Sequence, residues 1–373
     1  MKRRIGIGVV GTGAIGIRGA LEHLSMADVQ DRVWVAGVCD PCPERAKAAA
    51  EKYNIVHSYE TYEELLDNAH VDAVTICSPI NFHYEQGMAA IEKGKHIHFN
   101  KTMASTVEEA DNLVSYAKKQ NICIVPSPGQ MLYPHNKRIR KYILEGTLGK
   151  ITWSIVGYAI GSYHLEEEFR CGDDVLSNID PSWYYKKPCG GPQYDATVYA
   201  ITTLTGILGP AKRVTALSGL VLPKREYYHG SITCDMDDTT LMLVDFGNSL
   251  FGVIYGTITG SVNERFQPNI YGTDGSIIGT RYISKNEGRT ESSRFPDDHL
   301  PHVTGKHGDM RESHVFADIM QLADWIIEGK PSIVNVEHAR HVIDIIESGY
   351  RASNTGMTQE LRTNFTPLEM GAL

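Results

Sequence analysis

The apolar run Ile5-Gly6-Ile7-Gly8-Val9-Val10 leads straight into Gly11, Gly13 and Gly16, spaced G-x-G-x-x-G, and a second apolar run, Val33 to Cys39, ends on the acid Asp40. Glycines at that spacing let a backbone turn tightly and approach a pyrophosphate. A helix opening near Ala14 and Ile15 aims its unpaired N–H groups at those phosphates, and an acid closing the next strand accepts hydrogen bonds from a ribose diol. A glycine triplet alone is a weak signal. Here it follows a strand, opens an amphipathic helix (Ile15, Leu21, Leu24) and meets its acid, so the pattern predicts a dinucleotide site on Gly11, Gly13, Ala14, Ile15 and Asp40. Asp40 would repel a 2′-phosphate, and no basic side chain follows it before Arg45, which favours NAD over NADP. Arg45 reads either as a phosphate clamp or as a solvated charge at the start of the next helix.

A chain of 373 residues with 42% hydrophobic content has enough material for two buried cores. Its formal charge of −9 argues against a nucleic-acid surface, which needs clustered Lys and Arg. Lys2-Arg3-Arg4 reads as a charged edge before the first strand, and Lys137, Arg138, Arg140 and Lys141 as the wet face of a helix. No apolar run approaches the roughly eighteen residues that span a bilayer, and the first strand begins too near Met1 to leave room for a signal peptide. A cytoplasmic protein without a membrane partner is expected. Seven scattered cysteines fit a reducing compartment. Cys39 and Cys42 form a C-x-x-C around Asp40, but no second pair completes a metal set, and no metal is expected.

Through residue 127 short apolar runs alternate with helical patterns: strand Val33–Cys39, helices Glu44–Tyr53 and Tyr62–Asn68, strand Val71–Ser78, helix Phe82–Glu92, strand His96–Phe99, helix Val107–Gln120, strand Ile122–Val125. This is the order of a doubly wound parallel Rossmann sheet. Pro126-Ser127-Pro128-Gly129 breaks it, which places a domain boundary between residues 127 and 128. Beyond lie helix Pro134–Leu144 and sheet-like segments Ile151–Ile160, Ala211–Val221, Thr239–Phe246, Ser249–Thr259, Phe266–Tyr271 and Ser276–Gly279, with helices Ser313–Ile327 and Val336–Asn354 at the end. Residues 128–373 are therefore expected to form an α+β domain on a large, mainly antiparallel open sheet, covered by helices on one side.

Ligands of open parallel sheets gather beyond the carboxyl ends of the strands. The loops there read Ser78-Pro79-Ile80-Asn81-Phe82-His83 and Phe99-Asn100-Lys101-Thr102-Met103. Lys101 is thus expected beside the nicotinamide end of the coenzyme, where an ammonium can hold a reacting oxygen and ease loss of its proton.

The segment Gly94-Lys95-His96-Ile97-His98-Phe99-Asn100-Lys101 resembles the G-K-H-V-x-x-E-K-P signature of the glucose-fructose oxidoreductase, inositol dehydrogenase and MocA (Gfo/Idh/MocA) family. The resemblance covers nearly the whole chain: the opening fingerprint, the Ser78-Pro79 loop with His83, the lysine segment, the Gly190-Gly191 to Asp195 stretch and the closing helices follow the family's order. It implies a Rossmann domain, then an α/β domain whose open sheet often joins subunits, so a homodimer or homotetramer is expected. It also implies coenzyme contacts from Ser78, Pro79, His83, Asn100 and Lys101, and a carbohydrate or polyol substrate. The departures are specific. The family's E-K-P becomes Asn100-Lys101-Thr102, removing the acid and the proline often linked to a cis bond, and Ile80 stands where Asn is usual.

A third segment resembles G-G-G-x-x-x-D-x-x-x-H, with Asp195 in place and Tyr199 for histidine. On a helix, positions four apart share a face and reach one ligand. A phenol is a poor base near neutrality unless a cation stabilises its phenolate. Lys101 and Tyr199 therefore read as a coupled pair, with Tyr199 taking a hydroxyl proton, Lys101 polarising the oxygen and Asp195 orienting a neighbouring hydroxyl. The alternatives are a helix cap for Asp195 and a packing residue for Tyr199.

Gln130, Tyr133 and Trp183, the last with Tyr184 and Tyr185, are further candidates to face substrate, or else interior packing. The excursion from Gly161 to Pro181, with Glu166-Glu167-Glu168 and Asp173-Asp174, reads as a solvated loop. His299, His302 and His307 with Asp309 match no zinc framework and read as a loop reaching toward substrate. These observations favour an NAD(P)-dependent dehydrogenase or reductase acting on a CH–OH carbon of a sugar, sugar derivative or cyclitol. Two other readings stay open: a glycosidase-like enzyme using transient oxidation and elimination, and a non-catalytic NAD-binding regulator.

Overall fold

Strands buried on both faces lose the polar alternation of half-exposed strands and appear as continuous apolar runs, and the first such run becomes the centre of a parallel sheet. The computed structural model describes residues 4–159, 171–228, 230–260, 267–279, 281–284, 290–291 and 299–373. Strands β1 (Ile5–Val10), β2 (Val33–Cys39), β3 (Ser58–Tyr59), β4 (Ala73–Ile76), β5 (His96–Phe99) and β6 (Ile124–Pro126) form one sheet in the order β3-β2-β1-β4-β5-β6. All five pairings are parallel. The order reverses beside β1, which opens a crevice at its carboxyl end.

The crossovers are helical. Residues 14–24 form a helical run, π-helical over Gly16–Leu21 and ending in α1 (Glu22–Leu24). It is followed by α2 (Pro43–Tyr53), α3 (Tyr62–Asp67), α4 (His83–Glu92) and α5 (Val107–Gln120). Thr61 with Glu64 and Thr106 with Glu109 build capping boxes at the starts of α3 and α5, each such N-cap stabilising by about 1 kcal/mol. Gly87 lets α4 lie close over β5, since a Cβ there would stand 2.4 Å from Phe99 Cζ.

By its contacts the chain divides into two compact units, residues 4–129, 171–181 and 300–336 in the first and 130–159, 182–299 and 337–373 in the second. The sequence order predicts helix Ser313–Ile327 over the antiparallel sheet. As α8 (Ser313–Glu328) it belongs to the first unit and packs against β1, β5, β6 and the helical run after the glycine turn. A Cβ on Gly19 would meet Val315 at 3.1 Å, and Arg18 pairs with Glu312 at 3.2 Å. Amphipathicity shows that a helix buries a face, not which sheet receives it.

In the second unit, α6 (Pro134–Leu144), β7 (Ile151–Ala159) and α7 (Val198–Leu208) are followed by β8 (Arg213–Gly219), the two-stranded ribbon β9 (Lys224–Tyr227) and β10 (Gly230–Thr233), then β11 (Thr239–Gly247) and β12 (Leu250–Thr257). Strands β13 (Asn269–Gly272), β14 (Gly275–Ile278), β15 (Arg281–Ser284) and β16 (Thr290–Glu291), helix α9 (Val336–Thr355) and β17 (Gln359–Glu360) complete it. Nine strands make one sheet, β16-β15-β14-β13-β7-β12-β11-β8-β17, parallel only between β7 and β12. One face packs on helices: α7 is buried from Val198 to Ile207, and Gly349 of α9 lies close to Met242 of β11. The other face exposes Trp153, Leu217, Leu241, Leu243 and Phe251. Ile160, Phe266 and the Glu166-Glu167-Glu168 run lie outside the described residues.

Candidate active site

The glycine turn has the shape a dinucleotide requires. Gly11 sits at φ +87°, a conformation side chains rarely adopt, and its N–H donates to Cys39 O at 2.8 Å. A Cβ on Gly16 would stand 1.9 Å from Gly11 O, so only glycine lets the helix start this close to β1. Gly13 is open, with a single neighbour near its Cβ position, Ile179 Cδ1 at 3.9 Å. Ala14 and Ile15 begin the helical run beyond it. These residues fit a pyrophosphate approached by backbone N–H groups.

Asp40 closes β2 where expected, but its carboxylate is already engaged. Oδ2 accepts from Thr12 N at 2.9 Å and Thr12 Oγ1 at 3.2 Å, while Oδ1 accepts from Cys42 N at 2.9 Å and Arg45 Nη1 at 3.2 Å. A carboxylate has about four acceptor positions. Asp40 thus clamps the glycine turn to the end of β2 as well as marking the ribose edge. Arg45 is neither free nor merely solvated, since its Nε also donates to Val175 O at 3.1 Å. Burial and Asp40 push the Cys39 thiol up to about 12, far from the thiolate that metal binding or redox chemistry needs.

At the carboxyl end of β5, the Lys101 turn is held from several sides. Asn100 Oδ1 accepts from Lys101 N at 2.7 Å, and Thr102 Oγ1 donates to Ala104 O at 2.7 Å. The Lys101–Thr102 peptide is cis although threonine replaces the family's proline. His83, expected to touch coenzyme, is fully buried: Nδ1 faces Thr102 O at 2.6 Å and Nε2 faces Ser78 O at 2.9 Å. It lies between the two loops. Burial pushes its pKa down to about 4, so the ring is neutral at pH 7 and donates to one of these carbonyls, not both. Ser78 Oγ donates to Gln86 Oε1 at 2.5 Å, and Pro79 O accepts from Phe82 N at 3.0 Å. The Lys101 charge also acts on Cys77 and on His314 of α8. His314 lies more than 200 residues from Lys101 in sequence, and no local pattern marked it.

In the second unit, Asp195 lies in a π-helical turn, Gln193–Thr197, that runs directly into α7 and Tyr199. Both side chains are buried, at 6% and 9% exposure. Such turns recur at functional sites. Only glycine fits at 256 beneath the turn, since a Cβ would stand 2.0 Å from Thr197 Oγ1 and 2.7 Å from Gln193 Nε2.

The remaining candidates divide. Gln130 is buried, with Oε1 accepting from Thr203 Oγ1 at 3.0 Å inside the second unit. Tyr184 and Tyr185 are core residues beside Ile232 and Ile258, with the half-buried Trp183 ring tilted against Tyr184. Tyr133 is half-buried at the start of α6. His302 and His307 are both tied to residues of the first unit. His302 Nε2 pairs with Asp324 Oδ2 at 2.7 Å, and His307 lies 2.8 Å from His23, Nδ1 to Nδ1, stacked on Phe316. His299 is exposed. Asp173 and Asp174 are exposed, as a solvated loop requires.

Two family models match the chain: an oxidoreductase NAD-binding Rossmann fold over residues 5–127 and an oxidoreductase C-terminal alpha/beta domain over residues 140–361. The chain belongs to the Gfo/Idh/MocA oxidoreductase family. Among similar proteins, scyllo-inositol 2-dehydrogenase (NADP(+)) IolW of Bacillus subtilis is 27% identical, over 96% of this chain and 97% of the relative. D-glucoside 3-dehydrogenase of Escherichia coli is 23% identical, over 95% and 97%. A levoglucosan dehydrogenase structure, in complex with NADH and levoglucosan, shares the fold at a TM-score of 0.76 and 20% identity, covering 97% of this chain and all of that one. This Gfo/Idh/MocA member is therefore an NAD-binding oxidoreductase of the sugar and cyclitol dehydrogenase type. Among its described residues no helix is long and apolar enough to cross a membrane.

Proposed function

We propose that the protein transfers hydride between NAD and a secondary alcohol or ketone on a six-membered polyol ring, a cyclitol or a pyranoside. The observation that carries this reading is the Lys101 turn, fixed at the carboxyl edge of the parallel sheet by Asn100, His83 and Thr102. When bound, the nicotinamide ring supplies the hydride acceptor. Lys101 polarises the reacting oxygen, Tyr199 takes its proton, and Asp195 accepts a hydrogen bond from the adjacent hydroxyl. An ordinary phenol, with a pKa of about 10, needs a neighbouring cation to serve as base near neutrality, and this reading gives that role to Lys101. Vicinal hydroxyls on a ring suit such a set, and relatives named for an inositol and a glucoside both act on rings of this kind.

The test is a screen of inositols, glucosides and anhydrosugars with NAD and with NADP, following absorbance of the reduced coenzyme. Net NADH formation with a ring polyol is the expected result. Release of free sugar from a glycoside without net NADH would replace this reading with the elimination mechanism. Failure of all polyols in both directions, with NAD bound, would leave a regulator.

The open face of the nine-stranded sheet supports a homo-oligomer. Register places Leu217 opposite Leu241, and Trp153 between Phe251 and Tyr271, giving a continuous apolar face of the kind that marks protein contacts. Phe251→Asp is expected to shift the particle to monomer in light-scattering chromatography. An unchanged mass would remove this face from the interface.

A further inference from the structure

Residues 171–181 follow β7 in sequence yet join the first unit, not the second. They are folded on themselves. Asp174 Oδ1 accepts from the N–H groups of Leu176 and Ser177 at 2.8 and 3.1 Å, its carbonyl accepts from Asn178 N at 3.0 Å, and Gly172 N donates to Ser177 O at 2.9 Å. Two contacts show where this compact loop lies. Val175 O accepts from Arg45 Nε, on the guanidinium that also holds Asp40, and Ile179 Cδ1 stands over Gly13. Asp40 marks the ribose edge of a dinucleotide site and Gly13 the pyrophosphate. A segment touching the neighbours of both spans the length of the ADP half.

We propose that residues 171–181 are a strap across the ADP half of the bound coenzyme, with Ile179 packed against Gly13 at the edge of the pyrophosphate and the Val175 carbonyl fastening the strap to Arg45. This rests on the coenzyme site described above. The acids of the segment, Asp173, Asp174 and Asp180, are exposed, whereas Val175, Leu176 and Ile179 are half-buried, so the inner side is apolar. An apolar cover keeps water from the phosphates and strengthens their interaction with the N–H groups beneath, because charge–dipole attraction grows as the local dielectric falls. Its consequence is slow coenzyme release.

Two variants test this in the full-length protein. Ile179→Gly removes the cover, and Asp174→Ala, at an exposed position, removes the bonds that shape the loop while leaving Gly13 and Arg45 in place. Stopped-flow fluorescence should show NADH leaving each variant at least five-fold faster than wild type, with circular dichroism unchanged. Hydrogen exchange across 171–181 in wild type should slow on adding NADH. Unchanged or slower release in both variants, or exchange in 171–181 indifferent to NADH, would overturn the strap while leaving the coenzyme site standing. Failure of wild type to bind NADH would remove both.

Discussion

Replacing Lys101 with methionine is expected to lower kcat by about 10²–10⁴-fold, the usual contribution of a positioned proton-transfer group, with NADH affinity changed by no more than a few-fold. Methionine keeps the length and apolar stem of the side chain and removes only the ammonium. The glycine turn and Asp40, to which this reading assigns the coenzyme, lie on other loops of the sheet. Tyr199→Phe should show a loss of the same order. If the amine and the phenol act on one proton, the double variant is no slower than the slower single variant, since groups working as a unit lose their effect together. Single variants within three-fold of wild type, assayed on the substrate the screen identifies, would refute the assignment. Losses that multiply would show that the two residues act on separate steps.

Much of the fold was legible because its signals are local. Strands β2 and β5 and helices α5 and α6 have the bounds expected from their apolar runs, caps and breakers, and the glycine spacing located the nucleotide turn. What was not legible depends on partners far away in sequence or on edges too short to show a pattern. Strand β3 is two residues long, and the β9–β10 ribbon is mostly polar, so neither presents a periodic signal. Nothing in Ser313–Glu328 announces that it packs beneath the parallel sheet.

The same holds at the site. Lys101 can be found from its place after an apolar strand and from the family signature, whereas the resemblance that marks His83 as a coenzyme contact does not reveal that its ring lies between two loop carbonyls. For Gln130 the sequence leaves substrate contact and interior packing equally open, and the Thr203 hydroxyl that donates to its Oε1 lies on another helix. Asp40 is the instructive middle case. Its position was legible, whereas its four donors come from residues whose convergence only the turn itself creates.

Substituting Asp318 with asparagine is expected to change how stability depends on pH. Asp318 of α8 is buried, and its Oδ2 accepts from Ser127 Oγ at 2.5 Å and from Gly129 N at 3.1 Å. Behind Ser127 the chain continues through His98, whose Nε2 lies 2.9 Å from Ser127 Oγ and whose Nδ1 lies 2.7 Å from Thr75 Oγ1. Burial pushes His98 down to about 3, so it is neutral, and pushes Asp318 up to about 7, with the bonds from Ser127 and Gly129 opposing the rise. An acid whose pKa is higher in the folded state favours folding most when protonated. Its contribution is complete below the unfolded value near 3.8 and is lost as pH rises through about 7. Across that window the loss is on the order of 4 kcal/mol. Asparagine reproduces the protonated acid and does not titrate, so D318N should gain on wild type steadily between pH 4 and 8 in urea denaturation. His83, His98, His338 and His341, all lowered by burial, titrate in the opposite sense and weaken the fold as pH falls below about 6.5. His83, His338 and His341 cancel when the variant is compared with wild type at each pH, and His98, joined to Asp318 through Ser127, is neutral in the fold above about pH 3, so the carboxyl dominates the difference. Parallel stability curves for the two proteins would show that Asp318 is ionised in the fold, with its charge satisfied by Ser127 and Gly129.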